Sequence, residues 1–346
     1  MTVLESATHT EMSVGRLQSL HGLLEETNGR LKAGVVAGAS IWPSGFGALD
    51  KGLSGGFRSG ELVLVGGGQG LGKTTFALQV MRNLVVADRD AVYFSFEHDN
   101  HTLLERLIAM EAAEISGLAG VPLQRVRQAF ESRPNAGDTL EGRLAGTEGG
   151  VEAVQALQVY SRRLHLHQSN GADTDVEAMR QVVDTIREDT GRTPFVIIDY
   201  LQKVHVVHSA RMSEDERVTV VVQALKDLAL ELSVPVLAIV AVNKSGMAAS
   251  KRMRVEDLRG SSALAHEADV VLILNQKFDV VARHHLIYDL ANADRFRRWV
   301  VLTIEKNRNG VDKLDLEFRK RFEQARFEPV GGGVTEQLID DRIFVD

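Results

Sequence analysis

Apolar residues recur along this chain in two rhythms, and each predicts a different kind of element. Near the start, Leu17, Leu20, Leu23 and Leu24 fall at helical spacing, so residues 14–31 are expected to form a helix. Residues 34–40 are small and flexible in composition and Pro43 follows, which sets 1–42 apart as a leader or linker helix expected to pack on a neighbouring element or subunit. From Leu62 onward, short apolar runs alternate with helical patterns. Residues 62–65, 91–96, 164–167, 195–198, 235–242 and 270–274 read as strands, and 73–86, 103–113 and 174–187 read as helices. Two helix starts have the form of a capping box, Thr174-x-x-Glu177 and Ser213-x-x-Glu216. The second runs on with Val218, Val222, Leu225, Ala229 and Leu232 on one face.

Strands that are apolar on both faces and alternate with helices predict a mainly parallel sheet sandwiched by helices. The final pattern differs. Residues 299–305, 314–318 and 326–328 lie close together with turns between them and predict an antiparallel C-terminal extension of that sheet. No internal repeat is visible, so 43–346 is expected to be one α/β domain after the leader.

One segment changes the picture from fold to chemistry. Gly67-Gly68-Gln69-Gly70-Leu71-Gly72-Lys73-Thr74, followed by Thr75, satisfies the pattern G-x-x-x-x-G-K-[ST] between an apolar strand and an amphipathic helix. Its glycines let successive backbone N–H groups turn toward a phosphate chain, and the helix beginning at Lys73 adds its positive end. Lys73 is placed to reach the β- and γ-phosphates of ATP, and the Thr74 hydroxyl to bind Mg²⁺. Asp199 ends the apolar run Phe195-Val196-Ile197-Ile198 and supplies the acid that would hold the same ion. Glu97 closes the run Val92-Tyr93-Phe94-Ser95-Phe96 at the carboxyl end of a strand, where it could activate water. A P-loop ATPase is the expected class.

Composition narrows the partners. Forty basic and 47 acidic residues give a net charge of −7, which argues against coating nucleic acid with the whole surface. A local basic loop could still act, because phosphate contacts work within about 10 Å. One such loop is Lys244–Arg259, with Lys244, Lys251, Arg252 and Arg254; a weaker one after Asp199 carries Lys203 and Arg211. Few aromatics occur in either, so little base stacking is expected from them. Cysteine is absent, so disulfides and thiolate metal sites are excluded. No run approaches the roughly 20 apolar residues of a membrane span, and residues 1–15 lack the layout of a signal peptide, so a cytoplasmic location is expected. Asn243-Lys244-Ser245-Gly246 lacks the aspartate that would read guanine, and His165, His167, His284 and His285 lack a third ligand nearby in sequence, so neither GTP nor a metal beyond Mg²⁺ is expected.

Several of these segments together resemble the DnaB-type replicative helicases, in their C-terminal RecA-like ATPase domain. Asp199-Tyr200-Leu201-Gln202 looks like the family's DYLQ signature. Ser44-Gly45-Phe46-Gly47-Ala48-Leu49-Asp50 is similar to the segment ahead of its phosphate loop, and Phe94-Ser95-Phe96-Glu97 to its catalytic glutamate strand. Asp257-Leu258-Arg259-Gly260-Ser261 with Ala268-Asp269-Val270 resembles its DLR and AD region, and Lys306-Asn307-Arg308-Asn309-Gly310 its KxRNG hairpin. The resemblance covers Pro43 to Pro329.

The resemblance implies a RecA-like fold that assembles as a ring, usually a homo-hexamer, with ATP between subunits, with Lys306 and Arg308 reaching the neighbour's nucleotide, and with the two basic loops around the channel, where they would touch the backbone of single-stranded DNA. Two departures stand out. The family usually has a glutamine that senses the γ-phosphate where this chain has Ala241, and Asn243 lies about 7 Å further along the strand. The family's globular N-terminal domain is not matched by residues 1–42, which points to an accessory, plasmid, phage or defence role. Two functions remain open from sequence: a DNA-translocating ring helicase, and a RecA-like switch that couples ATP to assembly or to a partner without unwinding.

Overall fold

The computed structural model describes residues 17–34, 40–133, 135–243, 251–287 and 290–340. They fall into two compact units, Met1–Ser40 and Ile41–Asp346. In the first, α1 (Leu20–Lys32) starts at Ser19, whose hydroxyl accepts from the Gly22 N–H at 3.1 Å. This helix begins later than the leucine spacing suggests, and residues 14–16 of the expected span lie outside the described residues.

The second unit is built on one sheet of ten strands. In chain order the strands of that sheet and the helices named below are β1 (Leu62–Gly67), α2 (Lys73–Val86), β2 (Ala91–Ser95), α3 (Asn100–Ser116), α4 (Leu123–Glu131), α5 (Leu140–Leu144), α6 (Gly150–Tyr160), β3 (Leu164–Gln168), α7 (Val176–Thr190), β4 (Phe195–Asp199), α8 (Glu214–Leu232), β5 (Val236–Ile239), α9 (Ser261–Glu267), β6 (Val270–Gln276), β7 (Trp299–Asn307), β8 (Leu314–Arg321), β9 (Arg326–Phe327) and β10 (Gly332–Gly333). Across the sheet the order is β9-β8-β7-β6-β1-β5-β4-β2-β3, with β10 on β8. The six strands from β6 to β3 are parallel, and β7 to β10 add antiparallel pairings. Both halves of this arrangement follow the hydrophobic pattern.

Alternation along β1 shows why the sheet needs cover on both faces. Val63 and Val65 join a core with Phe76, Leu78 and Met81 of α2, whereas Leu62 and Leu64 join the opposite core with Met179 of α7 and Val222 and Leu225 of α8. Each such side chain contributes about 1.5–3 kcal/mol on full burial, so a one-residue slip of register would forfeit both layers. A third cluster, with Ile108, Val126, Leu144 and Ala153, joins α3 to α4, α5 and α6. These three helices are absent from the sequence reading, which leaves 135–150 as a charged, glycine-rich stretch. Two of them bury few side chains, α4 only Val126 and Ala129 and α5 only Leu144.

The two capping boxes fare differently. Ser213 and Glu216 exchange both bonds, Glu216 N–H to Ser213 Oγ at 3.2 Å and Ser213 N–H to Glu216 Oε2 at 2.7 Å. At α7 the cap is Asp175 instead, accepting from the Ala178 N–H at 2.8 Å. Thr174 is buried one residue earlier, where its hydroxyl accepts from the Asn170 N–H. The aspartate caps the helix because Thr174 is drawn into the preceding turn.

Candidate nucleotide site

All the candidate catalytic groups of the parallel strands lie at their carboxyl ends, the edge at which α/β sheets bind ligands. Strand β1 ends in Gly66 and Gly67, and here glycine is required. Gly67 has φ +149°, and a Cβ on it would sit 2.8 Å from the Leu274 carbonyl oxygen of β6. Gly72, at φ +91°, opens α2, and a Cβ there would sit 2.6 Å from the Phe322 ring. Between them the loop turns back under the start of the helix, leaving the first N–H groups of α2 facing a cleft.

That cleft holds about 540 Å³ and is lined by Gly67, Gln69, Gly70, Gly72, Lys73, Thr74, Thr75, Glu97, Asp199 and Ala241, among others. Lys73 Nζ donates to the carbonyls of Gly67 at 2.7 Å and Gly68 at 3.0 Å, so the loop holds its own ammonium in place. Burial pulls the Lys73 pKa below the usual lysine value, while Asp199 and Glu97 act against that fall. The Thr74 hydroxyl donates to Asp199 Oδ2 at 2.8 Å. In β4, Asp199 stands opposite Ser95 of β2, and the Phe96 N–H donates to the Asp199 carbonyl at 2.8 Å; two residues on from Ser95, Glu97 enters the same cleft. Residues separated by more than a hundred positions in sequence thus meet because β2 and β4 are neighbours in register.

Three groups at this site carry no sequence motif. Tyr93, fully buried, donates its hydroxyl to Asp199 Oδ2 at 2.7 Å, and burial followed by the Asp199 charge raises its own pKa well above the tyrosine value. Arg106 of α3 lines the cleft, and its Nε is buried with no hydrogen-bond partner. A guanidinium that lines this cleft with one donor left unbonded suits an anionic ligand. Its signal was present: Leu103, Arg106, Leu107 and Met110 share one helical face, and arginine is the odd residue there. Phe322, from the turn after β8, closes the wall beside Gly72.

The oxygen donors also fit Mg²⁺. Thr74 Oγ1 and Asp199 Oδ2 are already within hydrogen-bond reach, and both are the hard donors this ion takes. Among the described residues no group of three or more His, Cys, Asp or Glu could hold a metal by itself. An ion here would therefore complete its shell with phosphate and water oxygens, which is the usual manner of Mg²⁺.

The other candidate residues are dispersed. Lys306 points at the end of α9 in its own chain, donating to the carbonyls of Ala265 at 2.7 Å and Ala268 at 2.5 Å. Arg308 donates to the His266 carbonyl and pairs with Asp269 at 3.4 Å. Both cap the negative end of a helix. Lys203 and Arg211 are exposed, the former 5.7 Å above the Tyr200 ring. Lys244 lies outside the described residues. Lys251 pairs with Asp257 at 3.0 Å, and Arg254 with Glu305 at 2.8 Å and with Asp340.

Arg252 corrects the sequence expectation. Its side chain is only 5% exposed and is bonded to Thr303 Oγ1 at 3.0 Å and to Asp315. It belongs to the interior of the sheet's antiparallel end rather than to a loop that grips phosphate. The run of basic residues was misleading because charge in sequence does not say which way a side chain points. No helix among the described residues is long and apolar enough to cross a membrane.

Comparison with known proteins agrees with this geometry. The sequence profile of the DnaB-like helicase C-terminal domain matches residues 42–328. The replicative DNA helicase DnaB of Treponema pallidum is 27% identical over 282 residues, covering 81% of this chain and 54% of that protein. DnaB of Geobacillus stearothermophilus is 24% identical over 301 residues, covering 83% of this chain and 59% of its own. The chain thus spans little more than half the length of these relatives. Among solved structures, a DnaB-like replicative helicase, described together with its interactions with primase, superposes with a TM-score of 0.68 at 21% identity, over 89% of this chain and 68% of that one. A profile match over most of the chain, on a fold of the same kind, makes this protein a member of the DnaB-like helicase C-terminal domain family.

Proposed function

We propose that this domain hydrolyses Mg²⁺-bound ATP and uses the cycle to move along single-stranded DNA as part of a homo-hexameric ring, with ATP between subunits. The observation that carries the reading is the convergence of Lys73, Thr74, Asp199 and Glu97 on one cleft under the positive end of α2. The relatives named as replicative helicases support the motor in preference to a switch without unwinding.

The chemistry follows from the side chains. On ATP arrival Lys73 exchanges the carbonyls of Gly67 and Gly68 for the β- and γ-phosphate oxygens. Thr74 and Asp199 would hold the Mg²⁺, which when bound neutralises charge developing on the phosphates. Tyr93 keeps Asp199 oriented for that task. Glu97 accepts a proton from the attacking water, a role worth typically 10²–10⁴-fold. Arg106 offers its guanidinium to the phosphate charge.

In the ring, Lys306 and Arg308 serve the neighbour's nucleotide. They must then leave the carbonyls of α9, which ties finger engagement to the position of that helix. Lys203 and Arg211, with Lys244, supply the backbone contacts to DNA.

ATP hydrolysis measured with and without single-stranded DNA tests the proposal. The wild type should hydrolyse ATP, with a rate raised by DNA, and Lys73→Ala should abolish both. Hydrolysis indifferent to DNA would sink the motor, and hydrolysis that survives Lys73→Ala would sink the site.

A further inference from the structure

Ala241 stands in the wall of the cleft just beyond β5, and its methyl group can donate no hydrogen bond to a ligand. Its backbone, however, is held on both sides. The Ala241 N–H donates to Gln202 Oε1 at 3.0 Å, and the Arg259 N–H donates to the Ala241 carbonyl at 3.0 Å. Gln202 Nε2 closes the unit by donating to the Arg259 carbonyl at 3.3 Å. The end of β5, the turn after β4 and Arg259 are therefore bonded into one piece at the part of the cleft that holds Glu97 and Asp199.

Arg259 and Tyr200 also separate two spaces. Both line the nucleotide cleft, and both line a second cavity of about 310 Å³ that reaches Lys203, Arg217 and Glu214. The Arg259 guanidinium pairs there with Glu214 at 2.9 Å. The two side chains are 36% and 44% exposed, so the pair is weak and exchangeable. Tyr200 lies between charges of both signs: burial raises its hydroxyl pKa, Glu97 adds to the rise and Arg259 opposes it. A guanidinium offered a phosphate in place of one solvated carboxylate gains a more highly charged partner with matching fork geometry.

We propose that Arg259 reads the terminal phosphate of the bound nucleotide, leaving Glu214 for the γ-phosphate of a triphosphate and returning to Glu214 with a diphosphate. Through its backbone bonds to Ala241 and Gln202, the exchange carries nucleotide state from the cleft to the second cavity. This rests on the reading of the cleft as an ATP site.

Binding of ADP and of a non-hydrolysable ATP analogue, both with Mg²⁺, tests it by calorimetry on the full chain. Arg259→Ala should weaken the triphosphate analogue roughly tenfold while leaving ADP within about twofold, as expected for removal of one charge-assisted hydrogen bond. Adding Ala241→Gln to Arg259→Ala should recover part of the affinity, because a glutamine amide in that wall can donate to the same oxygen. Glu214→Gln, a change at a partly exposed site, should tighten the triphosphate analogue by about two- to fivefold and leave ADP alone. Equal weakening of both nucleotides in Arg259→Ala, or no change in Glu214→Gln, overturns the proposal. Failure of the wild type to bind either nucleotide would instead overturn the ATP site itself.

Discussion

Tyr93→Phe isolates one bond at the heart of the site. The substitution removes a single hydroxyl and leaves the ring and its packing in place, so its effect reports the 2.7 Å hydrogen bond to Asp199 Oδ2. Both partners are buried, at 0% and 1% exposure, so water cannot replace the missing donor. A hydrogen bond to a charged group is worth about 1.5–3 kcal/mol. Asp199 keeps the Thr74 hydroxyl on the same oxygen, so it stays in the cleft but loses the group that fixes its orientation. Removal of such an outer partner typically costs 10–100-fold in metal affinity. The assay is ATP hydrolysis at saturating nucleotide as a function of Mg²⁺. The half-saturating Mg²⁺ concentration should rise by about tenfold or more, while the maximal rate at high Mg²⁺ returns toward that of the wild type. A Mg²⁺ curve that superposes on the wild type, with only the melting temperature lowered, would refute the assignment of Asp199 as the metal ligand that Tyr93 positions.

Three further outcomes follow from the same geometry. Lys73 is partly buried with its pKa lowered, so in the window up to the ordinary lysine value near 10.5 the unfolded chain binds more protons than the folded one. Stability therefore rises with pH in that window, and in urea titrations the wild type should gain on Lys73→Met as pH rises from about 8 toward 10.5, with no gain counting against the burial argument. Arg252→Ala leaves Asp315, 27% exposed and still bonded by the Thr303 hydroxyl, without its buried partner and should destabilise the domain by about 1–3 kcal/mol, while the affinity of the folded variant for single-stranded DNA stays unchanged; a selective drop in DNA affinity would restore Arg252 to the DNA loop. Lys203→Ala with Arg211→Ala should lower DNA affinity uniformly across sequences and reduce the slope of log affinity against log salt by about 0.7 for each phosphate no longer neutralised, measured by anisotropy. An unaltered slope would remove both residues from the interface.

Much of this protein was legible from local pattern. The phosphate loop announces itself because its chemistry needs contiguous residues: glycines for a sharp return, then Lys73 and Thr74 on the helix that follows. The parallel core was equally plain, since strands buried on both faces must be apolar, as β1 is and as β4 and β6 are until Asp199 and Asn275 at their carboxyl ends. Ser213 and Glu216 form their box because both partners lie within one helical turn.

What tertiary structure alone decided is everything that depends on which strands become neighbours and which way a side chain turns. Tyr93 is an ordinary apolar-strand residue until β2 is set beside β4, when its hydroxyl meets Asp199 more than a hundred residues away. Arg252 and Arg259 lie in the same basic stretch, yet one faces Asp315 in the interior and the other faces the cleft. Lys306 and Arg308 are found on the carbonyls of α9 because β7 runs antiparallel beside β6. Periodicity records only whether a position prefers water or core. The partner of a buried charge is chosen by the packing of distant segments, and desolvation makes a missing partner costly.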